Sequence, residues 1–157
     1  HKCISLIANR VNKLQAEDTH TSLIKFKKKN LSCTVNMSTA FRPRDFEASI
    51  KVYCKEKIIN LCGLCCNTVS VDKLFKKKTT KAKILTKFSE KVPSGYGLSH
   101  RKVFQDIIDF ELKKKTKPLK AHQTLSTIKL INMMYKSFSK NRWVYFKEKK
   151  IISKLGS

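Results

Sequence analysis

The hydrophobic pattern of this chain changes period once, and that change restricts the folds open to it. From Leu31 to Ser38 the period is two: Leu31, Cys33, Val35 and Met37 alternate with Ser32, Thr34, Asn36 and Ser38. Successive strand side chains point to opposite faces, so this alternation marks a strand with one buried face. Phe46, Ala48, Ile50 and Val52 alternate in the same way with Glu47, Ser49, Lys51 and Tyr53. In the last third the spacing becomes helical. Val103, Phe104, Ile107, Ile108 and Leu112 form one stripe, and Leu125, Ile128, Ile131, Met134, Tyr135 and Phe138 a second. Strands first and helices later predict an α+β fold, a mostly antiparallel sheet with helices packed on one face.

The remaining elements follow from the same signals. Lys2 to Asn12 reads as a strand with Ile4, Leu6 and Ala8 on one side. Thr19 to Phe26 reads as the next, with Ser22, Ile24 and Phe26 opposite Thr21 and Leu23. Lys28-Lys29-Asn30 turns it back into the Leu31 strand, because Asn tolerates the left-handed region. Phe46 to Tyr53 and Lys57 to Leu61 predict a second hairpin, Thr68 to Asp72 a short strand, and the lysine-rich Lys73 to Lys91 a surface excursion or short strands. Ser99 is placed as the N-cap of the first helix, with Lys113 to Lys115 at its C-terminal end and Pro118 at its exit. A second helix is expected over about His122 to Ser139, then a short edge strand at Arg142 to Phe146. Met133, Met134 and Trp143 read as packing residues rather than cofactor contacts.

A length of 157 residues suits one domain, 1–157, and 41% hydrophobic content supports a packed core. No apolar run approaches the ~20 residues that span a bilayer, so no membrane partner is expected. The start lacks a secretory signal pattern, which predicts a cytoplasmic setting with reduced thiols. Cys62, Cys65 and Cys66 in LCGLCC have no second pair at zinc-knuckle spacing, so they read as small buried hydrophobes and no metal is expected. The four glycines, Gly63, Gly95, Gly97 and Gly156, include no G-x-G-x-x-G turn. Backbone amides need that turn to approach a pyrophosphate, so this chain contains no Rossmann domain. The net charge of +24 would attract any polyanion in a salt-dependent way. Its lysine clusters are scattered, however, and aromatic residues do not interleave with them as a single-strand binder requires.

Between the two alternating runs lies FRPRD. Arg42 and Arg44 flank Pro43, which stiffens the loop, and guanidinium forks match phosphate and carboxylate. A solvated loop with ion pairs to Asp45 and Glu47 accounts for the same residues. Together with ANR (Ala8 to Arg10), AEDTHTSLIKF (Ala16 to Phe26), TAFRPRDFEASI and SGYGLSHRKVFQDIIDFELKKKTKPL (Ser94 to Leu119), this segment resembles the C-terminal domain of the Gfo/Idh/MocA oxidoreductases. It is most similar to the branch that oxidises UDP-linked N-acetylhexosaminuronic acids with NAD.

The resemblance implies a substrate-binding and oligomerisation domain of an NAD(P)-dependent oxidoreductase acting on a sugar or nucleotide sugar. It also implies homo-oligomerisation through the helix-free face of the sheet. The nucleotide-binding domain, and with it the catalytic Lys and His of the family, is expected upstream of residue 1. No catalytic residue is therefore carried over, no cofactor is expected to bind this chain alone, and whether it is an enzyme is left open. The substrate wall implied by the resemblance comprises Asn9 and Arg10, Arg42 and Arg44, and Tyr96, Ser99 and His100. Tyr96 and His100 read equally as a turn aromatic and a helix-start histidine. The chain departs from the family where glycines usually stand, before Leu31, near Cys54 and Glu56, and near Lys140 and Asn141. A basic non-enzymatic module for nucleic acid or another polyanion, or a decayed remnant, are the alternatives.

Overall fold

The computed structural model describes residues 1–27, 30–44, 46–55, 58–72, 89–114 and 117–148. The predicted excursion at Lys73 to Lys91 lies largely outside them. The chain forms two compact units, His1–Phe41 with Leu119–Ser157, and Arg42–Pro118.

The first unit is built on a four-stranded antiparallel sheet. Its strands are β1 (Lys2–Ala8), β2 (Thr19–Phe26), β3 (Leu31–Ser38) and β7 (Val144–Tyr145), in the order β3-β2-β1-β7. The expected β2–β3 hairpin is present, with Phe26 opposite Leu31, and Asn30 adopts φ 43°. β7 pairs with only Lys2 and Cys3 of β1, the short edge strand that the sequence predicts. A 3₁₀ turn at Ala121–Thr124 leads into a helix, Leu125–Lys140. It is called α2 here, since α1, described below, precedes it. It ends at Asn141 in the left-handed region (φ 47°), where Asn substitutes for the usual glycine.

α2 packs on β1 and β7, and the core forms there from Cys3, Ile24, Met133, Met134 and Val144, flanked by Phe26, Val35, Leu130 and Phe146. Two expectations are corrected. The row of α2 that meets the sheet is Leu130, Met133, Met134 and Ser137; of the expected stripe Met134 is buried and Tyr135 half-buried, while Leu125, Ile128, Ile131 and Phe138 are exposed. Both rows have helical spacing, so periodicity alone does not choose between them. β3 likewise has no buried face: Leu31, Cys33 and Met37 are exposed and only Val35 of that set is half-buried. β3 is the edge strand farthest from β1 and β7, which α2 covers.

The buried layer of β1 and β2 is unusually polar. Ser5, His20 and Ser22 are buried beside Cys3 and Ile24. The Ser5 and Ser22 hydroxyls are 2.6 Å apart, and Ser22 is also bonded to His20 Nε2. The Ser5 amide donates to Ser137 Oγ (3.1 Å), whose hydroxyl donates to the Arg142 carbonyl (2.7 Å).

The second unit holds a three-stranded antiparallel sheet, β4 (Ile50–Tyr53), β5 (Ile58–Cys62) and β6 (Thr68–Asp72), and the helix α1 (Ser99–Glu111). The predicted hairpin is present in part, with Ile50 opposite Leu61, but its first strand begins at Ile50 rather than Phe46 and is exposed throughout. Ser99 is the first helical residue rather than the N-cap. Leu98 takes the cap position and no side chain caps the helix. α1 buries none of its residues. Among the described residues no helix is long and apolar enough to cross a membrane.

Candidate functional site

The sequence-predicted residues fall in three places. Asn9 and Arg10 begin the β1–β2 connection in the first unit, and both are exposed. Their loop is knotted by Asp18, which sequence reasoning did not single out. Asp18 is 2% exposed, and one carboxylate oxygen accepts the amides of Arg10 (2.9 Å), Val11 (2.6 Å) and Asn12 (3.0 Å). The Thr19 hydroxyl donates to the other oxygen at 3.0 Å. These donors, the Val11 and Asn12 amides foremost, outweigh desolvation and hold the carboxyl at about 2. The Asp18 amide donates to the Ala8 carbonyl and the Thr39 amide to the Asp18 carbonyl, so one residue ties together the ends of β1, β2 and β3. Asn12 Nδ2 adds a bond to the Thr39 carbonyl at 3.0 Å. A signal existed: Asp18, His20, Ser22 and Ile24 share the buried parity of β2.

This loop parts its two candidates. Arg10 borders a cleft of about 520 Å³ with Leu6, Thr19 and Thr21, on the face away from α2. Asn9 borders one of about 330 Å³ with Ala16, Glu17, Tyr135 and Phe138, on the α2 side. There the Tyr135 hydroxyl donates to the Glu17 carboxylate. Burial first, then Glu17, pushes the phenol up to about 12. Tyr135 also lies edge-on to the buried His20 ring, at 6.4 Å between centroids.

Arg42 and Arg44 are exposed on either side of Pro43, whose peptide bond with Arg42 is cis. Tyr96, Ser99 and His100 stand at the entrance to α1, in the same unit as the two arginines. Tyr96 and His100 meet edge to face with ring centroids 6.5 Å apart, and Tyr96 is 82% exposed. The first turn of α1 has neither an acidic residue nor a side-chain cap, so its amides and its dipole are open to an anion.

The cysteine motif supports this entrance. In the β5–β6 turn Gly63 has φ 97° and Cys66 φ 57°. The Ala48 amide donates to the Gly63 carbonyl (2.8 Å), and the Cys66 thiol donates to the Ala48 carbonyl (3.4 Å). Asn67 Nδ2 donates to the Glu90 carbonyl at 2.7 Å, and the Glu90 amide to the Asn67 carbonyl at 2.8 Å. Gly97 (φ 64°) lies against Cys65, where a Cβ would come within 3.0 Å of the sulfur. The glycine keeps the Tyr96 turn seated on the cysteine loop. Among the described residues no group of three or more His, Cys, Asp or Glu could hold a metal ion.

Residues 4–146 match the model of an oxidoreductase family, C-terminal alpha/beta domain, of the Gfo/Idh/MocA type. No curated protein sequence matches the chain. Among solved structures, the WlbA dehydrogenase from Chromobacterium violaceum, in complex with NADH and UDP-GlcNAcA, is similar at TM-score 0.73 and 19% identity, covering 91% of this chain and 39% of that one. The WlbA dehydrogenase from Bordetella pertussis, in complex with the same two ligands, is similar at TM-score 0.78 and 15% identity, covering 91% and 41%. The likeness is one of fold, and the chain spans about two fifths of the length of these enzymes.

Proposed function

The chain belongs to the Gfo/Idh/MocA oxidoreductase family, and from that premise we propose that it is the substrate-binding and oligomerisation domain of an NAD-dependent enzyme acting on a nucleotide sugar. The observation that carries this reading is the entrance to α1. Uncapped amides and an adjacent Tyr96–His100 pair suit a diphosphate, and Arg42 and Arg44 are cations of the same unit. A hydride acceptor and a general base belong to parts of the enzyme outside this chain, so no chemical step is assigned to its residues. The helix-free face of the first sheet carries exposed Leu6 and Leu23, which suits the oligomerisation role.

The test is calorimetric titration of the 157-residue chain with a UDP-N-acetylhexosamine at two salt concentrations. Saturable binding that survives the higher salt, with no comparable response to polyphosphate, supports the reading. Binding to every polyanion that collapses with salt instead supports the second reading, a basic polyanion module, which the net charge of +24 favours. Tyr96→Ala and Arg44→Ala should each weaken the saturable phase about tenfold, the loss of one charged or stacked contact.

A further inference from the structure

We infer that the cleft between the β1–β2 connection and α2 binds an uncharged hexose-type ring, held by Glu17 and Asn9 against Tyr135. The choice of ligand rests on the nucleotide-sugar reading; the geometry of the cleft does not. Its volume of about 330 Å³ is at the small end of ligand cavities, which run from ~300 to ~1,000 Å³, a size that suits one sugar ring.

The lining decides the chemistry. Glu17 presents a carboxylate that only accepts hydrogen bonds, and one acceptor position already takes the Tyr135 hydroxyl. The complementary ligand edge is therefore a row of donors, as sugar hydroxyls are. The same charge locally disfavours phosphate and carboxylate in this cleft. Asn9 and Gln15 line it with amides that both donate and accept. Asn9 donates its own amide to the Leu14 carbonyl, which fixes its side chain before any ligand arrives. Tyr135 and Phe138, with Ile7, supply the apolar wall that the C–H face of a pyranose requires. The loop that follows Asn9 is preformed, because Asp18 clamps its backbone through the amides of Arg10, Val11 and Asn12.

The experiment is a ¹⁵N–¹H titration of the full chain with N-acetylglucosamine, with UDP and an alkylammonium ion in separate arms. Saturable shifts for N-acetylglucosamine confined to residues 7–9, 15–17 and 135–138, with neither other ligand moving them, support the inference. Glu17→Gln should weaken that binding about tenfold, since the amide keeps an acceptor for Tyr135 but loses the charge. Its own spectrum reports that the fold persists. No shifts at these residues, equal shifts with the ammonium ion, or unchanged affinity in Glu17→Gln would overturn it. A UDP-N-acetylhexosamine arm separates the two readings. If it binds and moves only the Tyr96–His100 segment, the cleft assignment fails and the nucleotide-sugar reading stands. If it does not bind while the free sugar fills the cleft, the reverse holds.

Discussion

Replacing Ser137 with alanine should cost the first unit about 2–4 kcal/mol. The β1 edge explains why. β7 pairs with β1 at only Lys2 and Cys3, so the Ser5 amide has no strand partner on that side and donates to Ser137 Oγ at 3.1 Å. The same hydroxyl donates to the Arg142 carbonyl at 2.7 Å, where the chain leaves α2 for β7. Ser137 is 0% exposed and its bond with the Ser5 amide is buried, so alanine admits no water to that amide, while Arg142 itself is exposed. The orphaned buried amide costs ~1–3 kcal/mol, the lost bond to the part-buried Arg142 carbonyl about 1 kcal/mol, and the small void left by an oxygen adds little. With a urea dependence of about 2 kcal/mol per molar, the unfolding midpoint should fall by about 1–2 M at unchanged slope. Ser139→Ala is the control. Its hydroxyl makes only a long, exposed bond to the Lys136 carbonyl, so its change should stay within ~0.5 kcal/mol. A Ser137→Ala midpoint within error of that control would refute the idea that one hydroxyl completes the edge of this sheet.

Three further outcomes are expected. Burial holds the His20 imidazole below its ordinary 6.5, outweighing the pull of Glu17, so the unfolded chain binds the extra proton first. Stability measured by urea unfolding should therefore decline as pH falls below about 6.5, and His20→Gln should flatten that decline. The Cys3 thiol is pushed up to about 11 by burial and then by the Glu148 charge, and it is 0% exposed. Iodoacetamide at about pH 8 should label the exposed Cys33 and Cys54 in the native chain and reach Cys3 only in denaturant, as read by peptide mass spectrometry. Gly63→Ala places a Cβ on Asn67 Oδ1 at φ 97°. It should destabilise the cysteine loop by ~1–3 kcal/mol and weaken nucleotide-sugar binding at the Tyr96 turn without touching that ligand.

Much of the fold was legible because its signals are local. Alternation from Thr19 to Phe26 and from Leu31 to Ser38, with Asn30 between them, specifies one hairpin, and the structure has it. Asn141 closes α2 in the left-handed region where the family pattern puts glycine, a conformation that Asn adopts at lower cost than most residues. The site was legible only as segments. Family pattern singled out Asn9 with Arg10, yet they border clefts on opposite faces of one sheet. Glu17 and Tyr135 are 118 positions apart, and no spacing rule brings an acid and a phenol together over that distance.

What this amino-acid order determined by itself is which stretches extend, which coil and where they turn, since periodicity, proline and asparagine act within a few residues. Only the tertiary structure decided which of two apolar rows of α2 meets the sheet, and that Asp18 would gather three strand ends. Those choices depend on what lies across the core from each side chain, and that neighbour is set by the packing of distant segments rather than by the chain on either side.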